Sequence, residues 1–166
     1  MPDTENDVLE AAFDTWSVYR EHLLDTLQRA KHGLILFDHD LAQTGLESSA
    51  AIEALDALAR SLHGDDRIRI LVRTPVHIER HCPRLLKLVE RFGQRIRIRV
   101  VGESVTAPDS SFALADPGML VTRFHRDRPR GKRVDGPSPE STRYTAQFET
   151  MWISARNGPT GAPLGI

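Results

Sequence analysis

Residues 33–45 read GLILFDHDLAQTG, and the first half of that stretch decides the fold. A strand with one wet face alternates apolar and polar residues. Leu34, Ile35, Leu36 and Phe37 do not alternate, so both faces of this strand need cover, as in a sheet lying between helices. The run stops in Asp38-His39-Asp40. The carboxyl ends of central strands are where open α/β sheets place their sites. The same stretch therefore sets the functional question: two carboxylates that act on a ligand, or two that hold a turn.

Working outward, Trp16, Tyr19, Leu23, Leu24 and Leu27 recur at helical spacing and predict a helix from about Asp14 to Ala30. After the strand, ESSAAIEALDALARSLHG carries Ile52, Leu55, Leu58, Ala59 and Leu62 on one stripe, with Ser48 or Ser49 to start it and Gly64 to end it. RIRILVRT predicts a second strand over residues 67–74. PRLLKLVERFG predicts a helix with Pro83 in its first turn, where the missing N–H costs nothing. RIRIRVVG predicts a third strand with Ile96, Ile98 and Val100 on one face. Arg95, Arg97 and Arg99 take the other face, which is expected to meet water or a charged partner. SSFALADPGMLVTRF reads as a hairpin turning at Pro117-Gly118. HRDRPRGKRVDGPSPEST reads as a loop, and a last helix runs from about Arg143 to Ala155. The order α-β-α-β-α-β-β-β-α gives a single α/β domain over residues 14–155, a mixed, mostly parallel sheet flanked by helices. Residues 1–13 are expected to be a flexible segment and 156–166 a disordered tail.

The chain has 166 residues and a net charge of -1, so affinity for nucleic acid or membrane would have to be local. Of its 22 basic residues 19 are Arg, the residue suited to carboxylate or phosphate forks, although compositional bias alone gives the same excess. One cysteine, Cys82, forbids an internal disulfide and fits a reducing compartment. The acidic start MPDTENDVLE lacks a signal peptide's basic start and apolar core, and no apolar run reaches the roughly 18 residues of a membrane span. The expectation is a cytoplasmic protein without membrane association.

Three clusters are candidates for chemistry. Asp38 and Asp40 end a strand as Asp-x-Asp, which resembles the opening motif of the haloacid dehalogenase superfamily. That resemblance implies a magnesium-dependent phosphotransferase with Asp38 as nucleophile and Asp40 as general acid/base, and with Thr74, Lys87 and Asp116 in supporting places. Ala42 departs from the motif, which has Thr or Val there, and no late paired Asp follows. The structural alternative is that Asp38 accepts backbone N–H groups at the strand end while Asp40 or Thr44 caps local turns. His77, His81 and Cys82 lie in HIERHC. Two His four apart on a helix can share a metal, but Pro83 biases Cys82 away from helical geometry, and Arg80 and Arg84 add positive charge. A solvated loop leading into a helix is expected there, with no metal and no cofactor. Residues 123–133, RFHRDRPRGKR, set Arg123, Arg126, Arg128, Arg130, Lys132 and Arg133 against Asp127 alone. With Arg95, Arg97 and Arg99 they are candidate phosphate or nucleic-acid contacts. Phe124 is the one aromatic among them, so base stacking is not indicated, and a solvated loop is the alternative.

The element order, the stretch DSSFALADPGMLVTR and the closing FETMWISA together resemble a half-unit of the phospholipase D superfamily. Its motif is His-x-Lys-x-x-x-x-Asp, followed by a turn and a Gly-Ser pair. Here Asp116 and the turn match, whereas Asp109 stands in the His place, Ser111 in the Lys place, and Thr122-Arg123 near the Gly-Ser region. FD-x-D-L, the PRLLKLVERF helix before an Arg-rich strand, and the final F-x-x-x-W also resemble a family of uncharacterised bacterial domains of this fold without the catalytic motif. In phospholipase D chemistry the His attacks phosphorus and the Lys stabilises the developing charge. Asp109 repels a phosphodiester and Ser111 brings no charge. The resemblance therefore implies a non-catalytic binding or regulatory accessory domain of a bacterial cytoplasmic protein. It also implies a homodimer by default, an acetyltransferase as a possible partner, and nucleic acid as a less supported one. Phe148 and Trp152, four apart on the last helix, are expected in the core with Met151 beside them.

Overall fold

The sheet grows from three parallel strands. The computed structural model describes residues 8–160 apart from residue 104. In it β2 (Gly33–Asp38), β3 (Ile68–Val72) and β4 (Ile96–Val100) pair in parallel. On the other side of β2 lie β5 (Ser111–Asp116), β6 (Met119–Arg123) and β7 (Gly131–Asp135), all antiparallel. β1 (Leu9–Phe13) pairs outside β7, and β8 (Arg156–Asn157) outside β4. Among the described residues the order is β1-β7-β6-β5-β2-β3-β4-β8. The expected α/β class with a mixed sheet flanked by helices holds. The expected majority of parallel strands does not, because after β4 the chain returns through strands and turns instead of crossover helices.

Four helices, α1 (Trp16–Arg29), α2 (Ser49–Ser61), α3 (Val76–His81) and α4 (Pro83–Phe92), cover one face, and α5 (Pro139–Ser154) covers the other. Thr15, Ser48 and Ser138 cap α1, α2 and α5 by accepting N–H groups three residues on. Pro83 opens α4 as expected, and the first N–H groups of that helix go to the Glu47 carboxylate, at 2.8 Å from Arg84 and 3.1 Å from Leu85. The uninterrupted run in β2 is explained directly: Leu34 and Leu36 join the core under α1 and α2, while Ile35 and Phe37 join Phe112, Tyr144, Phe148 and Trp152 under α5. Phe148 and Trp152 are buried and stacked at 5.7 Å, the core role expected of them.

Four expectations need correction. Leu9–Phe13 is a strand, not part of a flexible segment; its own residues favour helix, and the pairing with β7 overrides them. Residues 1–7 lie outside the described residues. The segment after Ala155 begins as β8, with the Gly158 N–H bonded to the Ile98 carbonyl; residues 161–166 lie outside the described residues. Residues 131–135, expected in a loop, form β7, which packs so tightly that a Cβ on Gly131 would sit 2.8 Å from the Phe13 ring. Residues 76–81, expected as a solvated loop, form α3 with Ile78 buried.

Candidate functional site

The side-chain period of two puts Asp38, Ser111 and Arg123 on the face that carries α1, at one end of neighbouring strands. There they form one buried cluster. Asp38 Oδ1 accepts from the Ser111 hydroxyl at 2.6 Å and from the Arg123 guanidinium at 2.5 Å. Its Oδ2 accepts the N–H groups of Asp40 at 3.2 Å and Leu41 at 2.7 Å. Asp38 is 2% exposed and Arg123 1%. The guanidinium lies over the rings of Trp16 and Tyr19, 5.0 and 4.8 Å from their centres. It also donates to the Arg126 carbonyl, while its Nε finds no partner. Burial, helped by the Asp38 charge, pushes the Tyr19 hydroxyl up to about 12, so the phenol stays neutral beside the ion pair. The turn after Asp38 is strained: Leu41 has φ 72 with its side chain buried, a conformation held by the Asp38 carboxylate.

In this geometry both carboxylates of Asp38-His39-Asp40 accept the backbone N–H groups of the turn. Asp38 has four donors on two oxygens and no open face, and Asp40 accepts the Ala42 N–H at 2.9 Å. Both do what the turn reading expects. Thr74 follows β3 at the same end, and its N–H goes to the His39 carbonyl. Asp116 is far from them. It pairs with Gly33 at the opposite end of β2, five residues from Asp38, or about 16 Å along a strand. Lys87 is exposed on α4. The four residues of the phosphotransferase reading, Asp38, Asp40, Thr74 and Asp116, therefore do not meet. Of the vestigial motif places, Ser111 is buried on Asp38, Asp109 is exposed beside it, and Asp116 is exposed at the far turn. Phe37, His39, Arg73, Asp109, Ser111 and Arg126 enclose a cavity of about 10 Å3.

The basic residues divide. Arg123 is the buried partner of Asp38. Arg133 is held by Asp25 and Asp135, and Lys132 by Glu140 and Glu10. Arg126, Arg128 and Arg130 are exposed in a loop closed by the Phe124 N–H on the Arg130 carbonyl, with Arg126 3.3 Å from the His39 ring. The wet face expected along β4 is mostly taken. Arg97 pairs with Asp66, and Arg99 lies over the Trp152 ring at 4.4 Å and donates to its carbonyl. Arg95 sits in a 3-10 turn (Gly93–Arg95) and reaches the Ala59 carbonyl at the end of α2 instead. The His77 and His81 rings lie 5.1 Å apart, tilted at 40°, and no group of three metal-ligating side chains occurs among the described residues. Sequence reasoning missed the Arg123–Asp38 pair because 85 positions separate the two. The signal available was strand parity, which sets both on the same face once the hairpin and β2 are paired.

Solved structures share this architecture. The archaeal chromatin protein TrmBL2, described with a novel mode of DNA binding, aligns with a TM-score of 0.63 at 16% identity over 94% of this chain and 56% of its own. This chain thus spans little more than half of that protein. Nuc from Salmonella typhimurium, a phospholipase D family member, aligns at 0.63 and 12% identity over 91% of this chain and 98% of its own. NucT from Helicobacter pylori aligns at 0.63 and 8% over 91% and 99%. At these identities the likeness is one of fold, and the fold is phospholipase-D-like. Among curated proteins none matches the chain. The family described as Domain of unknown function (DUF7931) matches residues 16–160, most of the chain, and the protein belongs to that family.

Proposed function

We propose that this chain is a non-catalytic phospholipase-D-like domain acting as a binding or regulatory accessory unit. What stands at the motif places carries the reading. A carboxylate replaces the nucleophilic His, and Ser111 spends its hydroxyl on Asp38 where a Lys would face the phosphate. The space between them, about 10 Å3, holds at most one water. Neither side chain at those two places is the imidazole or the amine that the motif's chemistry uses. The bacterial, cytoplasmic setting and an acetyltransferase partner belong to this reading through the family resemblance. No helix among the described residues is long and apolar enough to cross a membrane. The test is hydrolysis of bis-p-nitrophenyl phosphate by the whole chain, with and without divalent metal. No release above buffer is expected. Turnover abolished by Asp109→Ala overturns the reading, and Mg2+-dependent hydrolysis of p-nitrophenyl phosphate lost in Asp38→Asn favours the phosphotransferase.

A second reading has its own observation. Arg126, Arg128 and Arg130 are exposed in one loop, and the TrmBL2 neighbour is described as binding DNA. Under this reading the loop contacts phosphates, and duplex affinity falls with salt at a log–log slope near -0.9 per contact. Neutralising the three arginines together flattens that slope. No retention of duplex DNA even at about 50 mM salt, where such contacts are strongest, overturns it.

A further inference from the structure

The two edges of the sheet are finished differently. At the β4 edge the chain supplies a two-residue strand, one further bond from Gly158, and then Pro159, which has no N–H to offer. A short strand and a proline are how natural sheets blunt an edge. At the other edge β1 pairs with β7 along its whole length, and its outer side pairs with nothing among the described residues. No Lys, Pro or Gly interrupts residues 8–13. Leu9 is 67% exposed, Val8 42%, and Ala11 and Ala12 are exposed as well. An apolar, unguarded edge strand is a template for another strand.

We propose that β1 joins two copies of this chain, antiparallel about a two-fold axis through Ala11. The strand is its own complement in that register. Leu9 lies across from Phe13 of the second copy, Glu10 from Ala12, and Ala11 from Ala11. Directly opposed residues share a face, so each exposed Leu9 comes to rest on the α1 side beside a Phe13 ring. Glu10 meets a small side chain and already lies 3.6 Å from Lys132. The neighbouring registers that keep both faces aligned are worse, since they set Glu10 against Glu10 or Glu10 against Asp14. Like charges directly opposed disfavour a strand pair. Among the described residues nothing on the α1 face blocks the contact. α1 packs over β5 and β6, which at about 4.8 Å per strand sets it roughly 10 Å inward of β1, so the two α1 helices clear each other. The product is one continuous sheet with an isologous joint.

The test is light scattering and sedimentation of the whole chain across micromolar concentrations. The expected mass is twice that of the chain. Leu9→Lys with Ala11→Lys, both at exposed positions, is expected to leave the circular dichroism and melting unchanged while raising the dimer Kd tenfold or more. Ala11→Cys, close to the axis, is expected to oxidise to a covalent dimer, whereas buried Cys82 in the unaltered chain does not. A monomer at every concentration overturns the proposal. So does a dimer that survives the double lysine variant, or an Ala11→Cys chain that does not cross-link.

Discussion

Arg123→Met separates a buried ion pair from a decorative one. Methionine keeps the length and apolar stem of the side chain and removes the charge. Asp38, 2% exposed, then keeps the Ser111 hydroxyl and two backbone N–H groups but no counter-charge. Removing one partner of a buried pair costs about 3–5 kcal/mol. Loss of the guanidinium from the Trp16 and Tyr19 rings adds about 0.5–2 kcal/mol, and removal of the unpartnered Nε returns about 1–3 kcal/mol. The net is a loss of about 0.5–6 kcal/mol, centred on about 3 kcal/mol, from a domain whose whole stability is about 5–15 kcal/mol. At about 2–4 °C per kcal/mol for this size, the melting temperature falls by about 1–24 °C. Thermal and urea unfolding followed by circular dichroism read the change. Asp38→Asn combined with Arg123→Met removes both charges and is expected to recover part of the loss, giving a coupling of about 1–3 kcal/mol. A single Arg123→Met within about 0.5 kcal/mol of wild type, or strictly additive single variants, would refute the reasoning.

Trp152→Ala is expected to destabilise by about 3–5 kcal/mol, since the indole is buried, stacked on Phe148 and covered by Arg69 and Arg99; an unchanged melting temperature means that the ring contributes no core. The hydrogen bond from Arg69 holds the Glu149 carboxyl below its ordinary 4.5, so the stability it contributes is present above that value and is lost as pH falls through the lowered pKa. With the side chain 45% exposed the contribution is about 0–1 kcal/mol. Glu149→Gln should flatten that part of the acid limb in urea midpoints, and identical acid limbs count against the pair.

The central strand and the α/β class were legible because burial on both faces leaves a continuous apolar run, here Leu34 to Phe37. The caps at Ser48 and Pro83 were legible because they depend on one or two residues. β1 and β7 were not. LEAAF and GKRVD have weak strand preference of their own and become strands by pairing with each other across the length of the domain. The candidate site was half legible. Asp38 as an acceptor for backbone N–H groups follows from a carboxylate at a strand end, and the structure has it so. Arg123 read as one member of a basic run, and only the three-dimensional pairing separates it from Arg126 three positions on.

β1 also sets an order on how the domain closes. Its register joins Phe13 to Gly131, and in a chain with nothing else formed a loop of about 120 residues costs roughly 4 kcal/mol to close. Once α1 and the hairpin strands have docked, the same pairing closes only the short link through Asp14 and Thr15. Of the described strands β1 is synthesised first and is therefore the last to be fixed, since it waits for the synthesis of β7. It is also the first to let go. Amide hydrogens of residues 9–13 should exchange through an opening that leaves β2, β3 and β5 protected, and each such opening lays bare β7, a fresh edge in the middle of an otherwise intact domain.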